Sequence, residues 1–247
     1  MSQPVNVSIG PGWTIGPGWI LGGPPEPVLV LNLDAANYSA VPANGTTIAG
    51  TGNYTITTLN PNSTMSWSAT NGGIFRKTVA TDTDFLTFGP DYTATSQAYT
   101  VMMVYRSQPT TGGRLLNANS DTPDWLAGLW QSGTYVQDVF YNGSNFVGPT
   151  NPANGAWQFI WTTYNGDSGS PVSQSYTANS TVPTSTAGTD ASGGGFNGLR
   201  LFGRYLNSTT SSEVVTADVG LVKLWNSVLT LSQVQAQWSA YRTRFGY

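Results

Sequence analysis

Residues 218–246 read DVGLVKLWNSVLTLSQVQAQWSAYRTRFG, two periodicities set back to back. The first part closes a β-type run, EVVTADVGLVKLW (213–225), whose Val, Leu and Trp content suits a buried strand. From Thr230 the spacing changes. Leu231, Val234, Trp238, Tyr241 and Phe245 recur at helical intervals and form one apolar stripe. Thr230 and Gln233 stand at capping-box spacing, where each side chain satisfies an amide orphaned at the helix start. Arg242 and Arg244 in the last turn complement the helix dipole, and Gly246 stops the helix. The stretch predicts a C-terminal amphipathic helix lying on a sheet.

Upstream, the chain from Val28 is a series of short β-type runs separated by turn residues. VLVLNL (28–33) is continuously apolar, while TMSWSA (64–69), GIFRKTV (73–79) and DFLTFG (84–89) alternate. AYTVMMVYR (98–106) is the longest buried strand candidate, followed by GRLLNA (113–118), WLAGLW (125–130) and TYVQDVFYNG (134–143). AWQFIWTTYNG (156–166), VSQSYTA (172–178) and LRLFGRY (199–205) complete the series. Many short strands with almost no other helical pattern predict an all-β antiparallel β-sandwich, a jelly roll, over residues 28–247. Residues 1–27, rich in Gly and Pro and ended by GGPPEP, form a separate N-terminal arm.

This order of segments resembles the laminin-G-like, concanavalin-type jelly rolls of phage and bacterial surface proteins. The resemblance is carried by VLVLNLDAANYSA, AYTVMMVYRS, WQFIWTTYNG, LRLFGRY and above all the closing strand–turn–helix that finishes in Arg-Phe-Gly. It spans roughly residues 28–247 and implies a binding or structural module without supplying a ligand. The Ile-Gly-Pro-Gly repeats ahead of it are similar to segments of cyanophage structural proteins.

Composition narrows the function. Charged residues make up 9% of the 247-residue chain, against about 25% in ordinary soluble domains. Nine Lys and Arg against twelve Asp and Glu leave no basic stripe for nucleic acid or an anionic membrane. Histidine and cysteine are both absent, which removes the commonest general base, the commonest metal ligand and every thiolate site. We therefore expect no cofactor, no transition metal and no strict Ca²⁺ requirement. MSQPVNVS has no basic start followed by an apolar stretch, so no secretory signal is expected. A surface-type β protein without an export signal suits a virion surface.

The motifs that suggest catalysis have simpler readings. NGDSGSPV (165–172) resembles the nucleophile segment of trypsin-like proteases, yet Ser168 has no histidine to take its proton, and it reads as a turn. A glycosidase needs paired carboxylates, but the chain has two glutamates, Glu26 in the arm and Glu213 at a strand start. Asp82 and Asp84 in TDTDFL could hold Ca²⁺, though solvated turn carboxylates are the simpler reading. The loop NANSDTPDWLAGLW offers Asn117, Asn119, Asp121, Asp124 and Trp125 as a glycan contact, an aromatic platform beside fixed polar groups. No enzyme is expected.

If the arm is extended, its side chains alternate between faces. Val5, Val7, Ile9, Pro11, Trp13, Ile15, Pro17 and Trp19 then share one apolar face, opposite a face of mostly glycine. A ribbon about 50 Å long at ~3.3 Å per residue needs that face covered. The expectation is a docking arm, its two indoles anchoring the chain to capsid or tail subunits or to a second copy. The whole predicts a non-enzymatic phage virion structural protein. The alternative is a carbohydrate-binding adhesin that recognises host glycans.

Overall fold

A computed structural model of the chain describes residues 26–59, 64–80, 83–92, 98–107, 113–120, 125–127, 155–164, 173–174, 196–205, 207 and 211–247. The arm residues Val5 to Trp19, together with Asp82, Asp121, Asp124, Ser168 and the run 134–143, lie outside these.

The described chain is an antiparallel sandwich. Its larger sheet contains β1 (Leu29–Asp34), β3 (Met65–Ser68), β4 (Ile74–Lys77), β6 (Tyr99–Ser107), β9 (Gln158–Tyr164), β10 (Ser173–Gln174) and β14 (Ala217–Trp225). The strand order is β10-β9-β6-β14-β4-β3, with β1 also paired to β14. The smaller sheet runs β2-β5-β11-β7-β8, built from β2 (Thr57–Leu59), β5 (Phe85–Tyr92), β7 (Leu116–Ala118), β8 (Leu126–Ala127) and β11 (Phe196–Leu201). A short ribbon, β12 (Arg204–Tyr205) with β13 (Ser211–Ser212), stands apart.

Strand β14 organises the larger sheet. Along one side it meets β6 over its whole length. Along the other, residues 217–219 pair with β4 and residues 221–225 with β1. The changeover falls at Gly220, where the register against β6 also shifts. A Cβ there would stand 2.5 Å from the Phe245 ring, so glycine is what lets the ring lie on the sheet.

Every residue of β14 is buried, because the sheet is covered on both faces. Val101, Met103, Tyr105, Ile160, Val222 and Leu224 point into the core between the sheets. Their neighbours Met102, Val104, Phe159, Trp161, Leu221 and Trp225 point outward, into a second core beneath the C-terminal helix. That helix, α1 (Leu231–Tyr241), carries the expected capping box, with the Thr230 hydroxyl accepting from the Gln233 amide. Val234 and Trp238 are buried under it, and a 3-10 turn over Arg242–Phe245 ends at left-handed Gly246. Trp238 stacks on Phe159 with centroids 4.8 Å apart.

Two expectations about this helix need correction. Leu231 is 40% exposed, so the buried stripe begins one turn later, at Val234. Arg244 is a tertiary clamp rather than a dipole complement. Its guanidinium pairs with Asp34 and donates to the carbonyls of Asn71 (2.5 Å), Gly73 (2.6 Å) and Gly220 (3.3 Å).

Candidate functional site

Strand direction brings the start of β1, the end of β5, the start of β6 and the end of β14 to one end of the sandwich. There a cleft of about 450 Å³ opens, lined by Val30, Thr51, Gly52, Tyr54, Tyr92, Ala98 and Asn226.

The segment 46–56 folds back on itself, Ile48 N–H donating to the Tyr54 carbonyl (2.9 Å) and Ile56 N–H to that of Thr46 (2.8 Å). It is tied to β1 by Asn32 N–H donating to Ala49 (2.7 Å) and Thr51 N–H to Leu29 (3.3 Å). Gly50 has φ +144, and a Cβ there would stand 2.3 Å from the Val30 carbonyl oxygen, so no larger residue could bring this loop so close to the strand. The Tyr54 ring lies over Gly52, occupying the space a side chain would take. Asn226 is fixed from both sides: its Oδ1 accepts from Val28 N–H (3.1 Å) and its own N–H donates to the Val28 carbonyl (3.2 Å).

Tyr92 forms the inner wall, 7% exposed and packed against Tyr99 and Phe196. Burial, and secondarily the neighbouring Tyr54, push its phenol up to about 12, so it stays neutral across the physiological range. The cleft therefore offers aromatic rings, phenols, the Thr51 hydroxyl and the Asn226 amide, with no carboxylate, amine or guanidinium among its described lining residues. That set suits hydrogen bonding to a neutral polyhydroxylated ligand stacked on a ring, and offers no proton-transfer pair.

Of the residues read as a glycan contact, the described ones, Asn117, Asn119 and Trp125, are engaged within the fold. Trp125 is fully buried and packs on Phe196 and Tyr99, with centroids 4.9 and 6.5 Å away. Asn117 is also fully buried, its Oδ1 accepting from Arg114 (3.0 Å) and its Nδ2 donating to the Ala118 carbonyl (2.8 Å). Asn119 Oδ1 accepts from Arg200 Nε (3.1 Å), whose guanidinium lies between the Phe85 and Tyr205 rings. These three side chains hold the smaller sheet and form no surface platform.

Asp84, read as a solvated turn carboxylate, is instead fully buried. It accepts from the Thr64 hydroxyl, and its carbonyl accepts from Lys77 Nζ (2.5 Å). Glu213 bridges Arg114 (2.7 Å) and Arg204 (3.2 Å). Sequence reasoning missed the cleft because the loop holding Thr51 and Tyr54 meets Tyr92 and Asn226 only in the fold, from distant segments. The one local signal of it is GTGNYT (50–55), two glycines and a tyrosine between strands.

No family model matches the chain, and no curated protein matches it. Solved structures do. Domain 4 of AbnA, a GH43 extracellular arabinanase from Geobacillus stearothermophilus solved in complex with arabinotriose, superposes with TM-score 0.52 at 17% identity, over 85% of this chain and 98% of that one. The binding domain of Paraclostridial Mosquitocidal Protein 1 gives 0.54 at 12% identity, over 87% of this chain and 52% of its own. The Botulinum neurotoxin serotype G binding domain gives 0.55 at 11%, over 86% and 51%. At these identities the likeness is one of architecture, and the chain is an antiparallel β-sandwich whose larger sheet carries a C-terminal helix.

Proposed function

We propose that this chain is a non-catalytic carbohydrate-binding module, an adhesin, whose end cleft takes a neutral sugar residue of a surface glycan. The observation that carries the reading is the lining of the cleft: a tyrosine ring braced over a glycine, a phenol kept neutral, and an asparagine whose side-chain oxygen is anchored by the Val28 N–H. Sugar recognition needs that combination of stacking surface and immobile hydrogen-bonding groups. Domain 4 of the arabinanase, of the same architecture along nearly its full length, binds an oligosaccharide, which supports the reading by analogy of fold. Among the described carboxylates, Asp34, Asp84, Asp218 and Glu213 are engaged in internal ion pairs or hydrogen bonds rather than facing the cleft as an acid–base pair. In this proposal the segment 1–27 is the attachment, holding the module on a larger assembly such as a phage virion.

A glycan array probed with the full chain, followed by calorimetry on the best ligand, tests the proposal. Tyr54→Ala and Asn226→Ala should each weaken binding at least ten-fold while the circular-dichroism spectrum is kept. An array with no ligand, or affinities that neither substitution changes, overturns it.

A further inference from the structure

At the end of β14 opposite the cleft, four adjacent strands place Ser66, Arg76, Asp218 and Arg106 in one cross-strand row. Their neighbours Phe75, Val219 and Tyr105 belong to the core between the sheets, so strand alternation turns this row to the outer face. Asp218 is wholly buried there. Arg76 grips it through Nε (2.7 Å) and Nη2 (3.1 Å), and Arg106 through Nε (2.6 Å). The Arg106 guanidinium also lies 5.0 Å above the Trp157 ring, which fixes its plane.

This arrangement does more than hold strands together. Two cations face one anion, leaving a net positive charge on a chain whose formal charge is −3. Arg106 Nη1 and Nη2, and Arg76 Nη1, donate to no group among the described residues, while the two side chains are 26% and 29% exposed. Their positions are set by a buried carboxylate and an indole, so binding a ligand costs little further ordering. Planar guanidinium forks match a carboxylate in shape and charge. Ser66, exposed beside Arg76, adds a neutral hydroxyl.

We propose that Arg76 and Arg106, pre-set by Asp218 and Trp157, form a second binding site, specific for the carboxylate of an acidic saccharide. The saccharide as carrier rests on the carbohydrate-binding reading above; the carboxylate specificity rests on this row alone. Residues 98–106 span the distance to the cleft, roughly 25 Å at ~3.3 Å per residue, and Tyr99–Tyr105 between them are buried, so the two sites are separate.

The test is calorimetric titration of the full chain with tetragalacturonate and with its neutral galactose counterpart. The acidic oligomer should bind at least ten-fold more tightly, and raised salt should erase the difference. R106K and R76K keep a cation against Asp218 but lose the fork. Each should cut the acidic affinity at least ten-fold while neutral binding through Tyr54 is unchanged. Should a variant fold poorly, the guanidinium Nε resonances of Arg76 and Arg106 in the wild-type chain must shift selectively on titration. Equal affinity for the two oligomers, full acidic binding by R106K and R76K, or unmoved arginine resonances overturns the inference. Neutral binding that survives Tyr54→Ala instead counts against the cleft.

Discussion

At its start, β14 carries Asp218, fully buried and held by two guanidiniums, whereas at its end the chain passes to Asn226, whose neutral side-chain oxygen accepts from Val28 N–H while its main-chain N–H donates to the Val28 carbonyl. The two ends use different physics to fix a polar group. A buried carboxylate is tolerable only when its charge is met at close range by well-aligned partners, so the Asp218 end is stiff and its spare donors are charged. The Asn226 end involves no ion; its neighbours Thr51, Tyr54 and Tyr92 keep neutral groups facing the cleft. One strand thus supports an anion-seeking surface and a neutral, ring-lined cleft. The continuous burial of the seven residues between Asp218 and Asn226 keeps the two apart.

Both ends depend on β14 being covered from outside, so the largest effect is expected in the helix. Trp238→Ala removes the indole stacked on Phe159 and should cost about 3–5 kcal/mol as a large-to-small core change. A melting temperature lowered by only a degree would mean the second core does not support the sheet, and the contrast between its ends would lose its frame. Asp218→Ala comes next. It leaves two guanidiniums facing each other, and about 3 kcal/mol is expected, at the low end for a broken buried pair because both arginines reach solvent. Asn226→Ala, at the other end, should cost less than Asp218→Ala in the same melting assay. The reverse order would contradict the distinction between a charged, stiff end and a neutral one.

The smallest effect is a pH dependence at the cleft. Tyr92 titrates at about 12 in the folded chain, against about 10 unfolded. Between those values the folded state holds a proton that the unfolded state has lost, so its contribution to stability is complete below pH 10 and disappears as pH rises through 12. Spectrophotometric titration of the phenols, beside urea unfolding at pH 9 and 11, measures it. Tyr54→Phe should lower the Tyr92 value only slightly, since burial is its main cause and Tyr54 the lesser one. A large drop would make the cleft electrostatic after all.

Much of the framework was legible because periodicity is local. Alternation and apolar runs marked β1, β6, β9 and β14, and the Thr230–Gln233 box with Trp238 marked the helix and its buried face. Strands β2 (TTL) and β13 (SS) were missed, because two or three residues carry no periodic pattern. Among site residues, Asn117, Asn119 and Trp125 looked like a surface constellation since they are close in sequence and chemically suited. Nothing local distinguishes an asparagine that meets a sugar from one that satisfies a buried arginine.

From the order of residues alone follow the sandwich, the capped helix, and the lack of histidine and cysteine chemistry, since each depends on composition or on spacing within one segment. The pairing of Arg244 with Asp34, the row Ser66–Arg76–Asp218–Arg106 and the cleft from Val30 to Asn226 were decided only by the tertiary structure. Each joins residues distant along the chain, and their register is set by which strands pair, where Gly220 shifts that pairing, and which faces two cores must cover.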